Sequence, residues 1–188
     1  MQRMILFTAL GLAATVMIGG CARTPNPAAS KEKTPEAKGA VDPKAADEAK
    51  AKYLIASEPA GAKNVTDVKK SAKDGDEVVV VGRIGGSEKP FTGRAAFTIV
   101  DLKFKPCNEI EGDNCPTPWD YCCDPPDELA KGTVLVKLVN SAGKTLPDDA
   151  KSLFDIKELT TVVVKGQMRR DESKSISVVA AAIYVKKK

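Results

Sequence analysis

The chain of 188 residues contains no histidine. A Ser-His-Asp triad is therefore excluded, and so is any acid–base step that uses an imidazole. The GKT triplet at residues 143–145 is not a phosphate-binding loop, because Leu138 stands where that motif needs a glycine. The Gly-containing turn at residues 82–86 does not have dinucleotide-binding spacing. We therefore expect a protein that is not an enzyme and that uses no cofactor.

Positive and negative charges are also nearly balanced. The net charge is +4, and lysines alternate with acidic residues along the chain, so the sequence predicts no broad basic face. Proteins that bind nucleic acid depend on clustered Lys and Arg to neutralise phosphates. Nucleic acid is accordingly not the partner that we predict.

The first twenty-one residues are more informative. A short positive start at Arg3 precedes an apolar run over residues 4–18, and residues 18–21 read Ile-Gly-Gly-Cys. A charged start, an apolar run and small residues make up a secretory signal. The final string resembles the lipobox of bacterial lipoproteins. That resemblance implies that residues 1–20 are removed and that Cys21 becomes an acylated N-terminus.

One alternative is an uncleaved transmembrane helix, but a span needs about 17–25 apolar residues and this run only just reaches that length. The other is a cleaved signal without a lipid, but such a signal does not require a cysteine after the cleavage site. Two or more acyl chains anchor a protein stably. We therefore predict a protein of the cell envelope that is held in a lipid membrane through Cys21 and faces the periplasm or the exterior.

Residues 21–52 are predicted to be the lipidated cysteine and a disordered tether. The segment begins with a Pro/Ala-rich stretch and continues as a mixture of Lys, Glu, Asp and Ala. Such a composition buries too little apolar surface to offset the entropy of ordering. Its end, residues 44–52, is compatible with a transient helix, and the folded domain is expected over residues 53–188.

The rest of the chain reads as a mainly β domain. A short helix over 65–71 and a helical turn within 147–159 accompany β-branched segments, which are typical of strands. The five predicted strands lie at residues 77–84, 94–102, 133–140, 160–168 and 175–185. This order resembles the OB-fold, a five-stranded Greek-key barrel with a helix between its third and fourth strands. Other antiparallel sheets, such as half of a sandwich, are the alternative.

A shared pattern supports the barrel. Residues 78–84 and 162–168 both read V-x-V-x-G-x-apolar, with Gly82 and Gly166 at matching points. Glycine inside a strand permits a bend or a bulge.

A Cys-rich insertion interrupts the domain at residues 103–131, between the second and third predicted strands. Long loops in compact domains are usually functional or disordered. This one holds the only Trp and the four cysteines that remain once Cys21 is set aside: Cys107, Cys115, Cys122 and Cys123.

Three interpretations of the four cysteines compete. Two disulfides that join Cys107 and Cys115 to Cys122 and Cys123, in an order that the sequence leaves open, suit an exported protein. A four-cysteine metal site is the second, but such sites usually use C-x₂₋₄-C pairs, whereas this spacing is C-x₇-C-x₆-C-C. A redox pair is the third, and no C-x-x-C is present to support it. We predict the disulfides and no metal.

Trp119 and Tyr121 lie between prolines and the cysteine pair. They form either a small core over the cysteines or rigid anchors for a partner. With Asp120 and Asp124, they are the candidate binding residues. The acidic residues of the insertion lack the alternation of an EF-hand loop.

The sequence thus predicts a membrane-anchored, non-catalytic binding or assembly module of the cell envelope, with an envelope protein as its partner. One alternative is a metal or redox centre built on the four cysteines. Another is an OB domain that binds an oligosaccharide or a single-stranded nucleic acid.

Overall fold

The computed structural model describes residues 42–187. The predicted signal, Cys21 and residues 22–41 of the predicted tether lie outside them. The helices and strands are α1 (Pro43–Tyr53), β1 (Lys63–Asn64), α2 (Val65–Ser71), β2 (Glu77–Ile84), β3 (Ala96–Val100), a 3₁₀ turn (Cys107–Glu109), α3 (Pro126–Lys131), β4 (Thr133–Lys137), α4 (Ala150–Phe154), β5 (Thr161–Arg170) and β6 (Ile176–Val185).

Five of the strands close into a barrel. β2 pairs antiparallel with β3, β3 with β4, and β5 with β6, while β4 and β6 run parallel. An antiparallel pairing of β2 with β5 closes the ring, and α4 lies between β4 and β5 along the chain. This strand order, with its one parallel pair, is the predicted OB-like Greek-key barrel.

The two matched glycines allow strands to cross closely. A Cβ on Gly82 would lie 2.9 Å from the carbonyl oxygen of Val100, and one on Gly166 would overlap the carbonyl oxygen of Val179. A β-bulge falls between Lys165 and Gly166. The shared V-x-V-x-G pattern therefore marks two places where only a glycine lets one strand bend against another.

The barrel core includes apolar side chains from β4, from α4 and from the residues just after each of them. Their removal from solvent is the main source of favourable folding free energy. The buried side chains of these segments are Val134, Val136, Leu138, Leu153, Phe154 and Ile156.

The end of the predicted tether differs from the prediction of disorder, because residues 43–53 form the helix α1 in the structure. The Asp42 carboxylate caps this helix, and Ala46, Ala49 and Tyr53 are buried along one side. The Tyr53 ring meets Phe154 edge-on at 6.3 Å. A narrow face of small residues ending in one aromatic ring is enough to hold the helix on α4. Within residues 42–187, no helix has the length and hydropathy needed to cross a membrane.

Candidate functional site

The link from β3 to β4, residues 101–132, is here named the cysteine loop, and Asp101 closes its base. The Asp101 carboxylate is buried and accepts hydrogen bonds from the N–H groups of Thr66 (2.8 Å) and Lys103 (3.0 Å). Its own N–H donates to the carbonyl of Gly132. Burial opposes its ionisation, but the bonds from Thr66 and Lys103 outweigh that effect and lower the pKa of Asp101. The loop therefore leaves and re-enters the barrel at one fixed point.

A small second core lies under the cysteine loop. Tyr121 is 1% exposed and packs with Val100 and Phe104, while Leu129 covers the cluster from the side. Burial raises the pKa of the Tyr121 phenol, so the ring is neutral. The loop is thus folded onto the barrel by its own apolar contacts.

Two glycines after β2 let the cysteine loop approach the barrel. A Cβ on Gly85 would lie 2.5 Å from the carbonyl oxygen of Trp119 and 2.9 Å from the Tyr121 ring. The N–H of Gly86 donates to that same Trp119 carbonyl at 2.8 Å. The Trp119 ring is half-buried, and its Nε1–H donates to the Glu88 carbonyl at 3.0 Å.

Three sulfurs converge above this base. Cys122 Sγ lies 3.8 Å from Cys107 Sγ and 3.7 Å from Cys115 Sγ. The Asp120 carboxylate approaches Cys107 Sγ at 4.0 Å, and all four ligand atoms lie within 4.8 Å of one another. Cys107 is buried, Cys115 is half-buried and Cys122 is exposed, so the cluster opens to solvent on one side.

Cys123 faces another way. Its thiol donates to the Asp113 carboxylate at 3.0 Å, and these two side chains form a second, smaller group with Cys107. Between Asp120 and Cys122, Tyr121 has a φ of 60°, a conformation that bulky residues rarely adopt. This turn accompanies the divergence of the two adjacent cysteines.

Aspartates hold the backbone of two cysteines in the same manner. Asp113 Oδ1 accepts the N–H of Cys115 at 2.8 Å, and Asp120 Oδ1 accepts the N–H of Cys122 at 2.9 Å. Both are Asx turns, in which a side chain accepts from the backbone two residues later. Thr117 also donates its hydroxyl to Asp120 Oδ2 at 2.8 Å.

The sulfurs differ in acidity. A hydrogen bond from the backbone N–H of Thr117 lowers the pKa of Cys115. The neighbouring Cys107 and Cys115 thiols raise the pKa of Cys122, and the Asp113 carboxylate raises the pKa of Cys123 to about 11. Cys115 is therefore the thiolate favoured among these three.

The structure brings the four predicted cysteines together as thiols, and the predicted disulfides stay a prediction. It corrects one candidate: Tyr121 cannot anchor a partner in this conformation, because its ring belongs to the small core. Asp120 lies at the sulfur cluster. Asp124 is half-buried, and its N–H closes a turn onto the Tyr121 carbonyl.

Sequence reasoning missed the role of Asp113. The signal was available as a repeat, because Asp113-Asn114-Cys115 and Asp120-Tyr121-Cys122 are both D-x-C. Each repeat forms the same turn and presents a thiol.

The usual ligand face of an OB barrel offers little for base stacking here. The strands β3 and β4 carry one aromatic residue, Phe97 of β3. Its side chain is 0% exposed and belongs to the barrel core. Stacking needs an accessible ring.

No protein-family model and no curated protein match this chain. Among solved structures, the hypothetical protein YgiW from E. coli is similar at 13% identity, with a TM-score of 0.34, over 71% of this chain and 96% of that one. A putative aspartyl-tRNA synthetase from Leishmania major Friedlin is similar at 9% identity, with a TM-score of 0.41, over 74% of this chain and 24% of that one. The assignment of the barrel fold rests on the strand pairing and not on these two similarities.

Proposed function

We propose that this chain is a lipid-anchored, non-catalytic binding module of the bacterial cell envelope, and that the cysteine loop is its binding surface. The observation that carries the proposal is that the loop is folded rather than loose: its base is closed at Asp101 and its centre is packed through Tyr121. A surface ordered before binding avoids much of the entropy cost of association.

The outward side of the loop has the mixed chemistry of a contact surface. Ile110 is 37% exposed, and the acidic residues Glu109 and Glu111 flank it. Glu109 forms an ion pair with Arg83 of β2 at 3.1 Å, so this part of the loop is tied to the barrel. Interfaces commonly combine an apolar contact with a polar rim.

The anchor half of the proposal rests on the lipobox-like string at Cys21.

Photo-crosslinking tests the binding surface. A photoreactive residue in place of Ile110, in the organism that makes the protein, should capture envelope components several-fold more than the same residue in place of Glu172. Glu172 is a matched control, since it is also exposed but lies in the turn between β5 and β6. Equal capture at the two positions would overturn the assignment of the surface.

A further inference from the structure

We propose that Cys107, Cys115 and Cys122 bind one thiophilic divalent ion of the zinc class, with the Asp120 carboxylate as the fourth ligand. This inference deepens the proposed function and rests on it, because it names a ligand for the same cysteine loop. The sequence predicts two disulfides, whereas the distances between the sulfurs in the structure favour a metal site.

The spacing between the sulfurs fits a metal. A tetrahedral zinc site with Zn–S bonds of about 2.3 Å separates its sulfurs by about 3.8 Å. The distances from Cys122 Sγ to Cys107 Sγ and Cys115 Sγ are 3.8 and 3.7 Å. Two of the three sulfur–sulfur distances therefore match a tetrahedral zinc site, and the third pair, Cys107 and Cys115, lies within 4.8 Å.

The choice of ligands follows from which atoms share that space. Asp120 lies with all three sulfurs in one mutually close group, whereas Cys123 lies with Asp113 in a second group that shares only Cys107 with the first. The proposed site therefore leaves out Cys123, although this residue is adjacent to Cys122. A simple count of cysteines would have predicted a four-sulfur site.

The chemistry of the ligands selects the ion. Thiolates favour zinc and other soft ions, while magnesium and calcium prefer oxygen ligands. The chain has no histidine, so the cysteines and carboxylates are its strong metal ligands.

The site is held in place and accessible. The Asx turns of Asp113 and Asp120 fix the backbone at Cys115 and Cys122, and Cys107 donates its N–H to the Pro118 carbonyl at 3.1 Å. The exposed side at Cys122 gives the ion a path from solvent. On binding, the thiols release their protons to water, and the ion takes the place of those protons.

Spectroscopic titration tests the site. The untagged full chain in detergent, reduced, stripped of metal and kept free of oxygen, is titrated with Co²⁺, and Zn²⁺ is then added in competition. We expect one equivalent of Co²⁺ with sulfur-to-cobalt charge-transfer bands, displaced by Zn²⁺. Removing a residue that only hydrogen-bonds to a metal ligand costs about 10–100-fold in metal affinity. Cys122→Ser removes a ligand itself, so it should weaken metal binding by more than about 100-fold.

Cys123→Ser is the matched control, since it changes the same residue type one position away and should leave the affinity within a few-fold. Asp120→Asn should weaken binding while the charge-transfer bands remain, because the sulfurs stay. If Cys122→Ser does not fold, Cys115→Ser replaces it.

Three results would overturn the metal site. They are equal effects of Cys122→Ser and Cys123→Ser, an absence of thiolate bands, or protein isolated from the envelope with neither free thiols nor metal. The last result would indicate two disulfides. These results are read from metal and thiol content, whereas the contrast between Ile110 and Glu172 is read from crosslinking, so a failure of the metal site is distinguishable from a failure of the binding surface.

Discussion

Replacing Tyr121 with alanine should destabilise the domain by about 3–5 kcal/mol, the usual cost of truncating a buried aromatic ring. The ring is 1% exposed and forms the centre of the small core with Val100 and Phe104. It also covers Gly85, where the loop backbone lies against the barrel. Truncation leaves a cavity in a cluster that has few other side chains to close it.

Tyr121→Phe is the matched control for this loss. The buried Tyr121 hydroxyl has no partner in good hydrogen-bonding geometry among residues 42–187, although the Arg83 guanidinium lies near enough to oppose the effect of burial on its pKa. Because the hydroxyl forms no well-aligned bond, its removal should cost far less than removal of the whole ring. Urea unfolding should therefore place the Phe variant within about 1 kcal/mol of the parent protein. An alanine variant of equal stability would contradict the packing role.

Replacing Cys21 with serine should move the protein from the membrane fraction to the soluble envelope fraction. The hydroxyl of serine cannot receive the thioether-linked lipid, and within residues 42–187 no helix is long and apolar enough to cross a membrane. Because two or more acyl chains give stable anchoring, their loss should change the distribution almost completely.

Cell fractionation with immunoblotting measures this change. Cys123→Ser is the control, because it removes another cysteine thiol but leaves the lipobox-like string intact, and it should stay with the membranes. Retention in membranes of a Cys21→Ser chain from which residues 1–20 have been removed would contradict the lipid anchor.

The barrel was predictable because its signals are local. The β-branched runs and the matched glycines at 82 and 166 marked the strands, and their order specified the topology. α1 was not predicted as a stable helix, because its alanines become a packing face only when α4 lies beside them. The burial of Tyr121 depends on Phe104 and Gly85, which are distant in the sequence, so no periodicity reveals it.

The site was predictable in its residues but not in its geometry. The sequence located the four cysteines and Asp120, while the C-x₇-C-x₆-C-C spacing obscured their arrangement. Two D-x-C turns fold that spacing into a compact cluster and separate Cys123 from it. Which cysteines share the cluster is therefore set by the direction of each thiol, and that direction depends on contacts within the folded loop.

X-ray absorption at the zinc edge of the zinc-loaded, untagged full chain identifies the ligand atoms around the ion, because the chain has no histidine to complicate the ligand shell. We expect about three sulfurs at about 2.3 Å and one oxygen at about 2.0–2.2 Å. A shell of four sulfurs would contradict the exclusion of Cys123, and a shell of oxygens alone would contradict the metal site in the cysteine loop.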